Sequence, residues 1–298
     1  MKDLRDAVFD EIYNLARDDK DVVFLSADAD AWSLKKFKND FPDRYINVGV
    51  AEQNMVTVAA GLALSGKKVF ICGLIPFVTL RCMEQIKVNV CSMNLSVIIV
   101  GLGAGFSFGY DGPTHHAVCD ISAMSILPEM SIYNPCTPDK CIKSVKEAYD
   151  SNSPSYIRVD KGEYDDVVSI AEYEGFSEII KGHKQCIVST GIITHTVIDV
   201  VNKLFDKSIG VIDIHKIKSF NKTELSSVLQ KYDDVVVIEE NVSHGGLGST
   251  VSEITPVHRL CLPDEQCMKY GDREWLLSQY GMDKDGIFKK MKNICNDF

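Results

Sequence analysis

The chain has 298 residues, 45% of them hydrophobic and 25% charged, with ten cysteines and a formal net charge of −10. That length suits two domains, and an acid excess without a basic stripe argues against a nucleic-acid partner. No apolar run approaches the roughly 20 residues that span a bilayer, and the acidic, amphipathic start MKDLRDAVFDEIYNLARDD is not a signal peptide, so a cytoplasmic protein without membrane contact is expected.

Short β-branched runs alternate with helix-length amphipathic segments, the pattern of βαβ units on a parallel sheet. The first helix is predicted over 3–17, followed by strands at 21–26 (DVVFLS) and 45–48 (YINV). A helix over 52–65 comes next, with Ala59, Ala60, Gly61 and Ala63 expected on its inner face. Strands at 68–72, 96–101, 131–134 and 155–159 then alternate with helices over 79–92, 119–126 and 138–150. Residues 160–184 are polar and hold no long periodic segment, which reads as a linker. A second series follows: strand 185–190, helix 194–205, strand 208–214, helix 222–230 and strand 234–240. The fold class is therefore α/β, two domains each with a mainly parallel sheet flanked by helices, divided as 1–170 and 171–298. The cysteines show no Cys-x-x-Cys spacing and mostly fall in apolar runs, which reads as buried reduced thiols.

Ligands of open parallel sheets sit beyond the carboxyl ends of the strands. Glu52 lies there, just past the strand that ends near Val48. Two readings stand for it: an acid that complements the helix dipole, or a carboxyl at an apolar seam that exchanges a proton. Phe77 reads as a core residue or as a stacking surface. Arg158, at a strand end, reads as a salt-bridge residue or as a bidentate phosphate ligand. His115, His116 and Asp120 raise a metal site, but adjacent histidines point apart and no third ligand is evident, so no metal ligand is assigned to this chain. The glycines of GGLGS (245–249) are read as a structural turn in preference to a phosphate loop, because no Walker lysine or GxGxxG frame accompanies them.

Several strings resemble the transketolase family, in that family's order. GVAEQNM (49–55) with the AAGLALSG that follows is similar to the segment carrying the acid that activates thiamine diphosphate. SADADAWS (26–33) looks like its S-A-D-x-x-x-S segment, PFVTLRCMEQIK (76–87) resembles F-x-x-x-R-x-x-x-Q-[IV], and DGPTH (111–115) matches almost letter for letter. QCIVSTGIITHTVIDV, VIDIHKIKSFNKTEL and the E-E-x-x-x-x-G-G-L-G-[ST] turn at 239–249 are similar to the family's carboxy-terminal domain.

The resemblance implies that Glu52 faces N1′ of the cofactor's aminopyrimidine, that Phe77 stacks on that ring, and that Asp28 and Arg81 belong to the cofactor site. It implies that Asp111 and His115 bind the donor sugar, His115 also acting in catalysis, and that Arg158 binds substrate phosphate. The family's G-D-G…Asn pattern for the diphosphate and its metal is absent; Gly271-Asp272-Arg273 is the nearest string. The resemblance therefore implies the β subunit of a split, thiamine-diphosphate-dependent transketolase. An amino-terminal α subunit would supply the G-D-G…Asn site and its Mg²⁺, Ca²⁺ or Mn²⁺, in an α2β2 heterotetramer acting on sugar phosphates. Gly103 stands where sugar-transferring members usually carry a His eight residues before the DGPTH aspartate. That departure keeps open a deoxyxylulose-phosphate-synthase-like condensation or a 2-oxoacid dehydrogenase β subunit. A catalytically silent scaffold is the reading from a different class.

Overall fold

The computed structural model describes residues 1–29, 33–204 and 207–296, so the middle of the SADADAWS string, 30–32, lies outside the described residues. The described chain divides into two compact units. The first is Met1–Ala104 with Ala123–Asp166, and the second is Gly105–Ser122 with Val167–Phe298.

In the first unit, strands β1 (Val22–Ser26), β2 (Tyr45–Asn47), β3 (Lys68–Leu74), β4 (Val97–Leu102), β5 (Ser131–Tyr133) and β6 (Ser155–Val159) are parallel and run in the order β5-β6-β4-β3-β1-β2. The central strands are buried along their whole length, as strands covered on both faces must be. Helix α1 (Leu4–Asp18) starts at Asp3, whose carboxylate accepts the Arg5 amide, and buries Leu4, Ala7, Val8, Ile12 and Ala16. Helices α2 (Leu34–Asp40), α3 (Glu52–Leu64) and α4 (Pro138–Ser151) complete the cover; α4 begins with a Thr137 cap and Pro138 in its first turn.

Two expectations in this unit need correction. Helix α3 buries Glu52, Met55, Val56, Ala59 and Ala60, whereas Gly61 is exposed and Ala63 half-buried, because a stripe at helical spacing takes only part of the small-residue run. The predicted helix 79–92 is three pieces: a 3₁₀ turn at Leu80–Cys82, a short α turn at Met83–Gln85 and a π turn at Ile86–Cys91.

The second unit holds strands β7 (Ala171–Glu172), β8 (Phe176–Ile180), β9 (Gln185–Ser189), β10 (Ile209–Ile214), β11 (Asp234–Val242) and β12 (His258–Leu262), in the order β12-β11-β9-β10-β8-β7. Strands β9 to β12 are parallel, while β8 runs antiparallel to β10 and pairs with β7. Helices α5 (Ile193–Leu204), α6 (Lys222–Leu229), α7 (Leu247–Ser252) and α8 (Lys284–Asn296) pack around it, and Phe106, Ile187, Val197, Val236, Leu276 and Met291 share its core. The expected linker 160–184 thus contains two strands of this sheet. Its polar look comes from residues such as Glu178, which is buried in β8 and accepts a hydrogen bond from the Tyr232 hydroxyl at 3.2 Å.

Among the described side chains the cysteines are free, and all but Cys119 and Cys261 are buried. No described helix is long and apolar enough to cross a membrane.

Candidate active site

Glu52 opens α3 at the carboxyl edge of the first sheet, behind Ala51, which carries no capping side chain. Upstream, Asn47 at the end of β2 ties the approach together. Its Oδ1 accepts from the Asp28 amide at 3.1 Å and from the Gly49 amide at 2.9 Å, and its Nδ2 donates to Asp28 Oδ1 at 3.2 Å. Asp28 is exposed with φ +56°, a left-handed conformation that Asp tolerates better than most residues, and the Asn47 bonds hold it there. The sequence drew attention to Asp28 and passed over Asn47, whose only signal was an amide-bearing residue at a strand end.

The Glu52 side chain is 5% exposed, and its Oε2 accepts from Arg81 Nη1 at 2.8 Å. No described backbone amide donates to the carboxylate, so it does not cap its own helix. Arg81 comes from the 3₁₀ turn beyond β3, and its guanidinium carbon lies 4.3 Å from the centroid of the half-buried Phe77 ring. One cation therefore bridges a buried acid and an aromatic face. Beneath them the Cys82 thiol donates to the Phe77 carbonyl at 3.1 Å, and burial, followed by the nearby Glu52 charge, pushes its pKa up to about 12. Space for the group comes partly from Gly73, where a Cβ would lie 3.3 Å from Val78 Cβ and 3.9 Å from Glu52 Cγ. Arg158, in β6, is 3% exposed, with Nη1 3.4 Å from Asn134 Oδ1, which rules out the exposed salt bridge. Gly103 has φ +89° and donates to the Val159 carbonyl at 2.9 Å; a histidine there would be strained whatever its surroundings.

Asp111 and His115 belong to the second unit. Their loop is closed by a two-way bridge in which the Gly105 and Ala117 amides each donate to the other's carbonyl at 2.9 Å. The Phe106 amide donates to Glu240 Oε1 at 2.7 Å, and Arg273 pairs with the other oxygen of the same carboxylate. Gly105 (φ +57°) lies so close to Glu240 that a Cβ would collide with it, and Gly112 (φ +78°) packs under the Tyr270 ring in the same way. On this support Asp111 is exposed, while His115 is half-buried with Nδ1 3.0 Å from Thr114 Oγ1. His116 faces inward instead, edge-on to Phe106 at 4.9 Å, and burial pulls its pKa down. Adjacent histidines thus diverge, and no group of three or more His, Cys, Asp or Glu among the described residues is placed to hold a metal.

The GGLGS turn is structural. The amides of Leu247 and Gly248, which a phosphate would need, donate to Glu239 at 2.7 Å and 2.8 Å, so the carboxylate occupies the amino end of α7. The paired acids Glu239 and Glu240 stand side by side in the sequence motif, which does not reveal their separate jobs.

With this geometry in view, comparisons with known proteins agree on one family. The transketolase pyrimidine-binding domain profile matches residues 1–166, and the transketolase C-terminal domain profile matches residues 177–287. One subunit of the apulose-4-phosphate transketolase of Phocaeicola vulgatus is 32% identical over 96% of this chain and 95% of its own. The 1-deoxy-D-xylulose-5-phosphate synthase of Clostridium perfringens is 34% identical over 93% of this chain but only 47% of its own length. Among solved structures, a split-gene transketolase described as an inactive beta4 tetramer superposes with a TM-score of 0.86 at 27% identity, covering 98% of each chain. The chain belongs to the transketolase family, in the class with a pyrimidine-binding and a C-terminal domain. Membership implies dependence on thiamine diphosphate.

Proposed function

We propose that this chain is the β subunit of a split transketolase that moves a two-carbon ketol unit from a ketose phosphate to an aldose. The observation that carries the proposal is the Glu52 carboxyl, almost fully buried beside a half-buried aromatic face. A carboxyl shielded from water and next to a stacking surface fits the aminopyrimidine of thiamine diphosphate, which needs one acid partner and one apolar wall. In this reading Glu52 holds a proton at the pyrimidine nitrogen, Phe77 supplies the wall, and Asp28 and Arg81 line the cofactor site. When bound, the cofactor supplies a nucleophilic carbon that accepts the ketol unit.

Asp111 and His115 are the donor-binding pair, His115 also exchanging a proton with a substrate oxygen. Arg158 is assigned to substrate phosphate, and its burial suits recognition by a desolvated guanidinium. An α subunit with the G-D-G…Asn pattern would hold the diphosphate and Mg²⁺, Ca²⁺ or Mn²⁺, in an α2β2 assembly in the cytoplasm. The relatives named as one subunit of a transketolase and as a split-gene transketolase support that division of labour. A second reading, deoxyxylulose-phosphate-synthase-like condensation, is favoured by Gly103, whose backbone conformation leaves no unstrained place for the histidine of sugar-transferring members.

The test is Glu52→Gln in the assembled complex. Removing the proton-exchanging group while keeping shape is expected to cut kcat about 10²-fold or more, with assembly unchanged by light scattering. Turnover that survives removes Glu52 from the chemistry and favours a scaffold role.

A further inference from the structure

Arg81 is positioned to do more than line the cofactor site. Its Nη1 reaches Glu52 Oε2 at 2.8 Å, its guanidinium carbon lies over the Phe77 ring at 4.3 Å from the centroid, and its side chain is 42% exposed while that of Glu52 is 5% exposed. It therefore occupies both groups that an aminopyrimidine would use, the acid and the stacking face, from the solvent side. Paired in this way, Glu52 presents Oε2 to a guanidinium donor, not to a ring nitrogen. The 3₁₀ turn that carries Arg81 sits between the end of β3 and the π turn at Ile86–Cys91, an irregular backbone of the kind found near functional sites.

We infer that Arg81 is a latch, a positioning residue that neutralises Glu52 and shields Phe77 until a pyrimidine competes for them. The inference rests on the reading of Glu52 and Phe77 given above. Arg81 gives up the carboxylate on cofactor binding, and its long, partly solvated side chain lets it swing outward without disturbing buried packing. Breaking the pair opposes cofactor binding, so removing Arg81 strengthens binding, the opposite of what loss of an ordinary ligand does.

The experiment titrates thiamine diphosphate with Mg²⁺ into the complex with the partner subunit, by calorimetry. Wild type, Arg81→Gln, Arg81→Lys, Glu52→Gln and the Glu52→Gln, Arg81→Gln double variant are compared. Because the pair is exposed on one side, a gain of about fivefold in affinity is expected for Arg81→Gln. Arg81→Lys keeps the charge without the flat cover and falls between wild type and Arg81→Gln. In the Glu52→Gln background Arg81→Gln gives less than half that gain, since the ion pair is already gone. Unchanged or weaker binding by Arg81→Gln, or a full gain that persists in the Glu52→Gln background, overturns the latch. If Glu52→Gln abolishes turnover while Arg81→Gln weakens binding, only the latch fails. If Glu52→Gln turns over normally, the reading of Glu52 fails with it, and absence of binding by the wild-type complex removes both.

Discussion

Glu239 shows how one carboxylate fixes a turn that its sequence surroundings make look like a ligand site. Its two oxygens take the Leu247 and Gly248 amides, and a Cβ on Gly246 would collide with the same carboxylate. Replacing Glu239 by Ala leaves two buried donors without an acceptor, at a cost of about 2–4 kcal/mol. Glu239→Gln retains one acceptor oxygen and is expected to lose about half as much. Urea unfolding midpoints of the two variants check the order, and equal loss in both would show that charge, not hydrogen bonding, sets the cost. At this scale the sequence was informative where a residue type is rare for its setting. Glu52 stood out as an acid between an apolar strand and a helix of small residues. Arg81 stood in a recognisable string, but its bond to Glu52 joins residues 29 positions apart, and only the folded turn beyond β3 brings them to 2.8 Å.

Elements were legible in proportion to how well their periodicity survived. The central strands of the first sheet, buried on both faces, read as plain β-branched runs, and all six strands lie close to the predicted spans. Strand β8 did not, because FSEII places Ser177 and Glu178 inside the unit, and a buried Glu bonded to Tyr232 breaks the alternation that marks a strand. The helix predicted over 79–92 kept its apolar spacing, yet the chain tightens and then widens there, which apolar spacing does not encode. Many turns follow a different rule, in which glycine stands where φ is positive. Gly66 (φ +90°) has open space around its missing Cβ, whereas Gly105 (φ +57°) is pressed against Glu240. Gly66→Ala is expected to cost about 1 kcal/mol from backbone strain alone. Gly105→Ala adds a collision and is expected to cost at least twice as much by denaturant midpoint. Equal costs would mean that Glu240 moves aside freely.

At the scale of the whole molecule, the two-domain α/β plan was readable from the alternation of segments, but the membership of the DGPTH loop was not. Residues 105–122 interrupt the first sheet in sequence and yet pack with the second unit. Their anchors are all distant in sequence: Glu240 and Arg273 through the Phe106 amide and its acceptor, Gly271 donating to the Gly109 carbonyl at 3.3 Å, and Val242 donating to the Val118 carbonyl at 2.8 Å. A chain stopped at Asp166 keeps every strand of the first sheet described above and loses all four. Its loop is then expected to open, because a segment whose hydrogen bonds have no partner exchanges and is cleaved from its low-stability states. Chymotrypsin followed by mass spectrometry reads this at Phe106, which is buried in the full chain. Cleavage after Phe106 should rise steeply in the shortened chain, while Tyr110, exposed in the full chain, is accessible in both. Continued protection of buried Cys141 from a thiol reagent would show that the first unit is still folded. With Cys141 protected, a Phe106 that also stays protected would mean that the loop bearing Asp111 and His115 does not depend on these second-unit residues for its order.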